Sequence, residues 1–96
     1  MNRIPTVEVC VVVLKSMYRK FDIWRGIKNG ELVNRVVYNS PSHSVHNGTS
    51  QIVKHFTTDW RHIATTHRIR DSSGRIVHWD AKDIRIGGVC YWIYKY

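Results

Sequence analysis

The stretch Phe21 to Tyr38, FDIWRGIKNGELVNRVVY, carries the clearest local signal in the chain. Asn29-Gly30 sits between two runs rich in β-branched and aromatic residues, and both residues tolerate the positive φ of a type I′ hairpin turn. With those two as the loop, Ile27 faces Leu32, Arg25 faces Asn34, Ile23 faces Val36 and Phe21 faces Tyr38. These positions lie two apart along each arm, so they share one face, and its apolar content makes it the expected core face. The other face places Trp24 opposite Arg35, a pair suited to a cation–π contact.

Composition points the same way. The chain has 12 Val, 10 Ile and 6 Thr against 2 Ala, 2 Leu, 2 Glu and 1 Gln. β-Branched side chains lose χ1 freedom on a helix and pack well on a pleated sheet. At 96 residues with 43% apolar content, the chain suits one small domain with one core, spanning 1–96.

Working outward, Thr6 to Leu14 reads as a strand covered on both faces, since Val11, Val12 and Val13 are consecutive. Its apolar run is too short, and too soon interrupted by Glu8, for a secretory leader. Asn39 to Ser50, with Pro41, Gly48 and several Ser and Asn, reads as a long loop. Ile52, Val53, Phe56, Trp60 and Ile63 recur at steps of three and four, which predicts one helix near 50–63, with a strand as the runner-up. Asp71-Ser72-Ser73-Gly74 predicts a hairpin loop flanked by arms near 66–71 and 75–80. Ala81-Lys82 is then a short connection, and Ile84 to Tyr94 a last strand with a bulge or bend at Gly87-Gly88. The expected class is α+β: a β-rich domain, mostly antiparallel sheet or a small partly open barrel, with one helix.

Fifteen Lys and Arg against seven Asp and Glu give a net charge of +8, which favours a polyanionic partner and excludes an acidic nucleic-acid mimic. Arg61, Arg68, Arg70, Arg75, Lys82 and Arg85 crowd into one part of the chain. Arg68 and Arg70 are two apart and share a face, and Arg85 on the next strand extends that row. The expected register sets His78 opposite Arg68 and Trp79 opposite His67. Such a face suits nucleic acid: guanidinium groups hold phosphates, and an aromatic ring stacks unpaired bases. The bland alternative is a solvated sheet face neutralised by Asp71, Asp80 and Asp83, with Trp79 as a core anchor.

Six histidines invite chemistry. His43 and His46 form an H-x2-H pair, but no C-x2-C accompanies it and Cys10 and Cys90 stand far apart, so no metal site or cofactor is assigned. The thiols are expected reduced and buried. Lys54, His55, His62, His67 and His78 supply the groups of a metal-independent ribonuclease, without any sign that two imidazoles converge. No Walker, Rossmann, G-x-S-x-G or H-E-x-x-H pattern occurs.

These features predict a small, non-enzymatic, cytoplasmic nucleic-acid-binding domain without a membrane segment. RNA or single strands are favoured over duplex, because the candidate surface is a sheet. The expected contacts are Arg61, Arg68, Arg70, Arg75, His78, Trp79, Lys82 and Arg85. The alternative is a protein-binding inhibitor or accessory subunit of a larger host assembly, of viral or mobile-element origin, using the aromatic tail Tyr91-Trp92-Ile93-Tyr94-Lys95-Tyr96. The ribonuclease is the third reading.

Overall fold

The computed structural model describes residues 4–93. Its strands are β1 (Thr6–Val9), β2 (Val33–Pro41), β3 (Thr49–Phe56), β4 (His62–Arg70), β5 (Ile76–Ile86) and β6 (Val89–Ile93). They form one six-stranded sheet in the order β1-β6-β5-β4-β3-β2. Every pairing is antiparallel except the edge strand β1, which runs parallel to β6. Two helices, α1 (Val11–Lys20) and α2 (Ile23–Lys28), pack on one face. The α+β, β-rich expectation is met.

The helices are not where the sequence placed one. Phe21 to Tyr38 is not a hairpin: its first half is α2 and its second half enters β2. Asn29-Gly30 ends a helix instead of turning a hairpin. The Asn29 N–H bonds the Arg25 carbonyl at 2.9 Å, and Gly30 follows at φ +82°. A helix C-terminus and a type I′ turn both ask for a residue at positive φ, so the dipeptide fits either. The expected Trp24–Arg35 pair is absent, as Trp24 lies under the Lys28 ammonium and Arg35 covers Trp60.

Thr6 to Leu14 is likewise split, since the strand stops at Val9 and α1 starts at Val11. Three valines open that helix despite their poor propensity. Leu14, Met17 and Tyr18 supply the 3.6-period stripe that buries against the sheet, and Arg19 and Lys20 complement the dipole in the last turn. Tertiary burial decides the matter, while Val11, Val12 and Val13 stay largely exposed.

Residues 50–63 form β3, a tight loop and the start of β4, not a helix. The three- and four-residue spacing arises because β3 carries useful residues on both faces. Val53 and His55 are buried toward the helices, and Ile52 and Phe56 sit on the reverse. The loop closes with the Thr57 N–H on the Arg61 carbonyl at 2.9 Å. The expected 39–50 loop is shorter, because β2 extends to Pro41.

The 71–74 loop is as expected: the Asp71 N–H bonds the Arg75 carbonyl at 2.8 Å, and Gly74 has φ +87°. Ala81-Lys82 is no connection, because β5 runs through it with Lys82 as the extra residue of a bulge. Ile84 to Tyr94 is not one strand. Gly87 (φ +59°) and Gly88 (φ +78°) form a two-residue hairpin turn that pairs Ile86 with Val89. Tyr94, Lys95 and Tyr96 lie outside the described residues. Both cysteines are free, Cys90 buried and Cys10 exposed, the latter against expectation.

Leu14, Tyr18, Ile23, Ile27, Ala64 and Ile84 form the core between helices and sheet. Tyr18 reaches through it to the Lys82 bulge. Its hydroxyl lies 2.6 Å from the Asp83 carbonyl and 3.0 Å from the Thr65 carbonyl. The β4–β5 ladder breaks between Thr65 and Thr66, and the phenol serves the carbonyl groups there. Burial pushes the Tyr18 hydroxyl well above its usual pKa, so it stays a donor at every working pH. Tyr18→Phe should lower stability by about 1–3 kcal/mol, read as a lower urea midpoint at unchanged m-value. An unchanged midpoint would mean that the bulge carbonyls need no partner.

Candidate nucleic-acid interface

The sequence-selected residues do not share one face. Arg68 and Arg70 do lie together on the helix side of the sheet, beside Gln51 of β3. Gln51 Oε1 accepts from Arg68 Nε at 2.7 Å and from Arg70 Nε at 3.3 Å, while Gln51 Nε2 donates to Asn39 Oδ1 at 2.8 Å. Arg70 also donates to the Gly74 carbonyl at 2.6 Å. Neither guanidinium has a carboxylate among its described partners, so their charge is not neutralised in place. Burial, and secondarily Arg70, lower the Arg68 pKa from its usual value without discharging it.

Trp79 joins this pair, one register step from expectation. A bulge at Val77 sets Arg68 opposite Trp79 and Ile69 opposite His78. The Arg68 guanidinium lies 5.6 Å from the Trp79 ring centroid. The second bulge, at Lys82, then reverses the alternation of β5. Without it, Trp79, Ala81 and Arg85 would share a face. With it, Ile84 and Ile86 turn to the helices, and Arg85 faces the opposite side. Arg85 therefore does not extend the arginine row. Arg61 lies in the β3–β4 loop, His78 is exposed on the reverse face, and Arg75 is exposed in the turn 3.7 Å from Asp71.

Lys82 does stay near Trp79, in a cleft that sequence reasoning missed. About 460 Å3 of space lies between α1 and β5. Trp24 and Trp79 line it, packed edge to face with centroids 5.4 Å apart, and Lys15, Arg19 and Lys82 stand around it with a single acid, Asp80. Lys15 and Arg19 are one helical turn apart on α1. The signal for them was the 3.6 period of Val11 to Lys20, hidden by its valines.

The tryptophan wall is held by a directional chain of hydrogen bonds. Trp79 Nε1 donates to Thr66 Oγ1 at 2.9 Å, and His55 Nε2 lies 2.7 Å from that same hydroxyl. His55 Nδ1 lies 2.6 Å from Asn34 Oδ1, and Asn34 Nδ2 donates to the Ile27 carbonyl of α2 at 3.1 Å. Asn34 Oδ1 can only accept, so His55 carries its proton on Nδ1 and accepts from Thr66 on Nε2. The ring is fully buried, and burial, then Arg68 and His62, push its pKa down to about 4. Both nitrogens are committed and the ring meets no solvent, so His55 is a structural group. His62 lies on the reverse face, bonded to the Ala64 carbonyl at 2.8 Å and to Thr65 Oγ1 at 2.9 Å. His67 pairs with Ser50, and His43 and His46 are exposed in the 42–48 loop.

Comparison with protein-family models, with curated proteins and with solved structures returned no match.

His55 makes the fold acid-sensitive. Its folded-state pKa lies below the 6.5 of a free imidazole, so its stabilisation is complete above that pH and is lost as pH falls towards 4. The difference corresponds to about 3 kcal/mol for this buried ring. His62, pushed down to about 4 chiefly by burial, acts in the same window. Asp83, raised by burial, acts in the opposite sense, and Asp59 and Asp71 are held low and contribute only in stronger acid. Urea midpoints measured from pH 7 to pH 4 should fall steadily across that window. A flat profile would contradict a neutral buried His55.

Proposed function

We propose that the protein is a non-enzymatic nucleic-acid-binding domain that takes single strands, RNA among them, on the helix side of its sheet. The observation that carries this reading is the continuity of Arg70, Arg68, Trp79, Lys82, Lys15 and Arg19: an arginine pair with no carboxylate among its described partners, leading into an aromatic-walled, cationic cleft. Phosphates suit the guanidinium and ammonium groups, and an unstacked base suits the tryptophan wall. A paired base cannot leave its stack without an unpairing cost, so the cleft favours single strands over duplex. Net charge of +8 adds long-range attraction.

A protein partner is the second reading, and its support moves away from the C-terminal aromatics. Tyr91 and Ile93 of β6 pack against the core, inside the sheet between β1 and β5. Among the exposed apolar residues, Val36, Val37 and Tyr38 are consecutive on the edge strand β2. The ribonuclease reading loses its His55, which has no free nitrogen, and nothing in the geometry favours it.

Lys15→Glu with Arg19→Glu changes two exposed side chains of α1 and should leave the fold intact by circular dichroism. Adding Lys82→Glu should weaken binding to labelled single-stranded RNA by about a hundredfold and flatten the log–log salt dependence by about 2, the loss of about three phosphate contacts. Equal affinity of the triple variant and the parent chain, measured by fluorescence anisotropy at two salt concentrations, would remove this cleft from the interface.

A further inference from the structure

A second cleft, of about 450 Å3, lies where β4 begins and β5 turns into β6. Arg61, His62, Arg85 and Ile63 line it with the Gly87-Gly88 turn, and it shares no lining residue with the helix-side cleft. Three of these side chains are basic and none is acidic. Arg85 Nε is buried without a hydrogen-bond partner, as is Oδ1 of Asp83 two residues before it, and the Arg85 side chain also meets the Cys90 thiol. The acids nearest in charge are Asp59, which sits beside Arg61 in the exposed loop, and Asp83, which neighbours Arg85 on β5. Neither lines the cleft. Lys54 and Arg85 both disfavour protonation of His62, which reports a positive field at this point.

We propose that this cleft is a phosphate site, in which Arg61 and Arg85 hold the oxyanion and His62 forms the adjoining wall. Guanidinium forks match the spacing of phosphate oxygens, and a dianion answers two such charges better than a carboxylate does. Bound phosphate accepts from the guanidinium groups that line the cleft. It also reverses the local field, so His62 takes up a proton more readily. The phosphate comes either from the end of a nucleic-acid strand or from a free phosphate compound, and the chemistry of the site is the same for both.

The test is an NMR titration of the full chain with inorganic phosphate, with acetate as the control. Backbone amides at Arg61, Arg85, Gly87 and Gly88 should shift saturably. The protonation midpoint of His62 should rise from about 4, while that of His55 on the opposite face stays put. Arg61→Gln, an exposed position that does not threaten folding, should weaken the response about tenfold, and Arg85→Gln at least as much. The Lys15/Arg19/Lys82 triple variant should keep the response, which separates this site from the helix-side cleft. Tighter binding of a 5′-phosphorylated strand than of its 5′-hydroxyl twin, lost in Arg61→Gln, would identify a strand end as the source. A phosphate response without that preference would identify a free phosphate. No saturable shift, an equal response to acetate, or unchanged binding in both arginine variants would overturn the proposal.

Discussion

The hydrogen-bond chain from the Ile27 carbonyl through Asn34, His55 and Thr66 to the Trp79 indole is the constraint on which the helix-side surface depends. It starts on α2 and crosses β2, β3, β4 and β5 in turn, so one network fixes the spacing of four strands and the seat of a helix. Every member has a single workable role. If His55 is protonated, Nε2 no longer accepts, and the Thr66 hydroxyl proton loses its acceptor while its oxygen takes up donors from both Trp79 and His55. Two helices of 10 and 6 residues cannot cover a six-stranded sheet. The polar chain fills the region beyond their apolar stripe and keeps Trp79 upright beside Trp24 and beneath Arg68.

Bulges decide which charges meet. Val77 slips β5 by one residue and delivers Trp79 to Arg68, and Lys82 slips it again and sends Arg85 to the reverse face. The sheet thereby carries two separate basic regions instead of one row. Tyr18 closes the second bulge from the helix side, so the helix that lines the cleft with Lys15 and Arg19 also secures the strand irregularity opposite them.

Much of the sheet was legible because β-branched residues dominate and because the Asp71 side chain closes its own turn by accepting from the Ser73 and Arg75 amides. The shared face of Arg68 and Arg70 followed from alternation alone, as no bulge separates them on β4. The helices were illegible for a physical reason: Val11 to Val13 and Ile23-Trp24 have strand propensities, and only burial of Leu14, Tyr18, Ile23 and Ile27 against the sheet makes them helical. Asn29-Gly30 compounded this, since a glycine at positive φ serves a helix end as well as a hairpin. The helical spacing of Ile52 to Ile63 arose from a strand with both faces in use. The cleft was hidden with α1, and Arg85 was misplaced because no sequence rule marks Lys82 as an extra residue.

The most direct test of the account is an NMR footprint of a short single-stranded RNA on the isotopically labelled protein. The largest shifts are expected at the Trp79 indole N–H and at the amides of Lys15, Arg19, Arg68 and Lys82. Shifts confined to the reverse face around Lys54, Arg35 and Trp60, or no shifts at near-physiological salt, would contradict it.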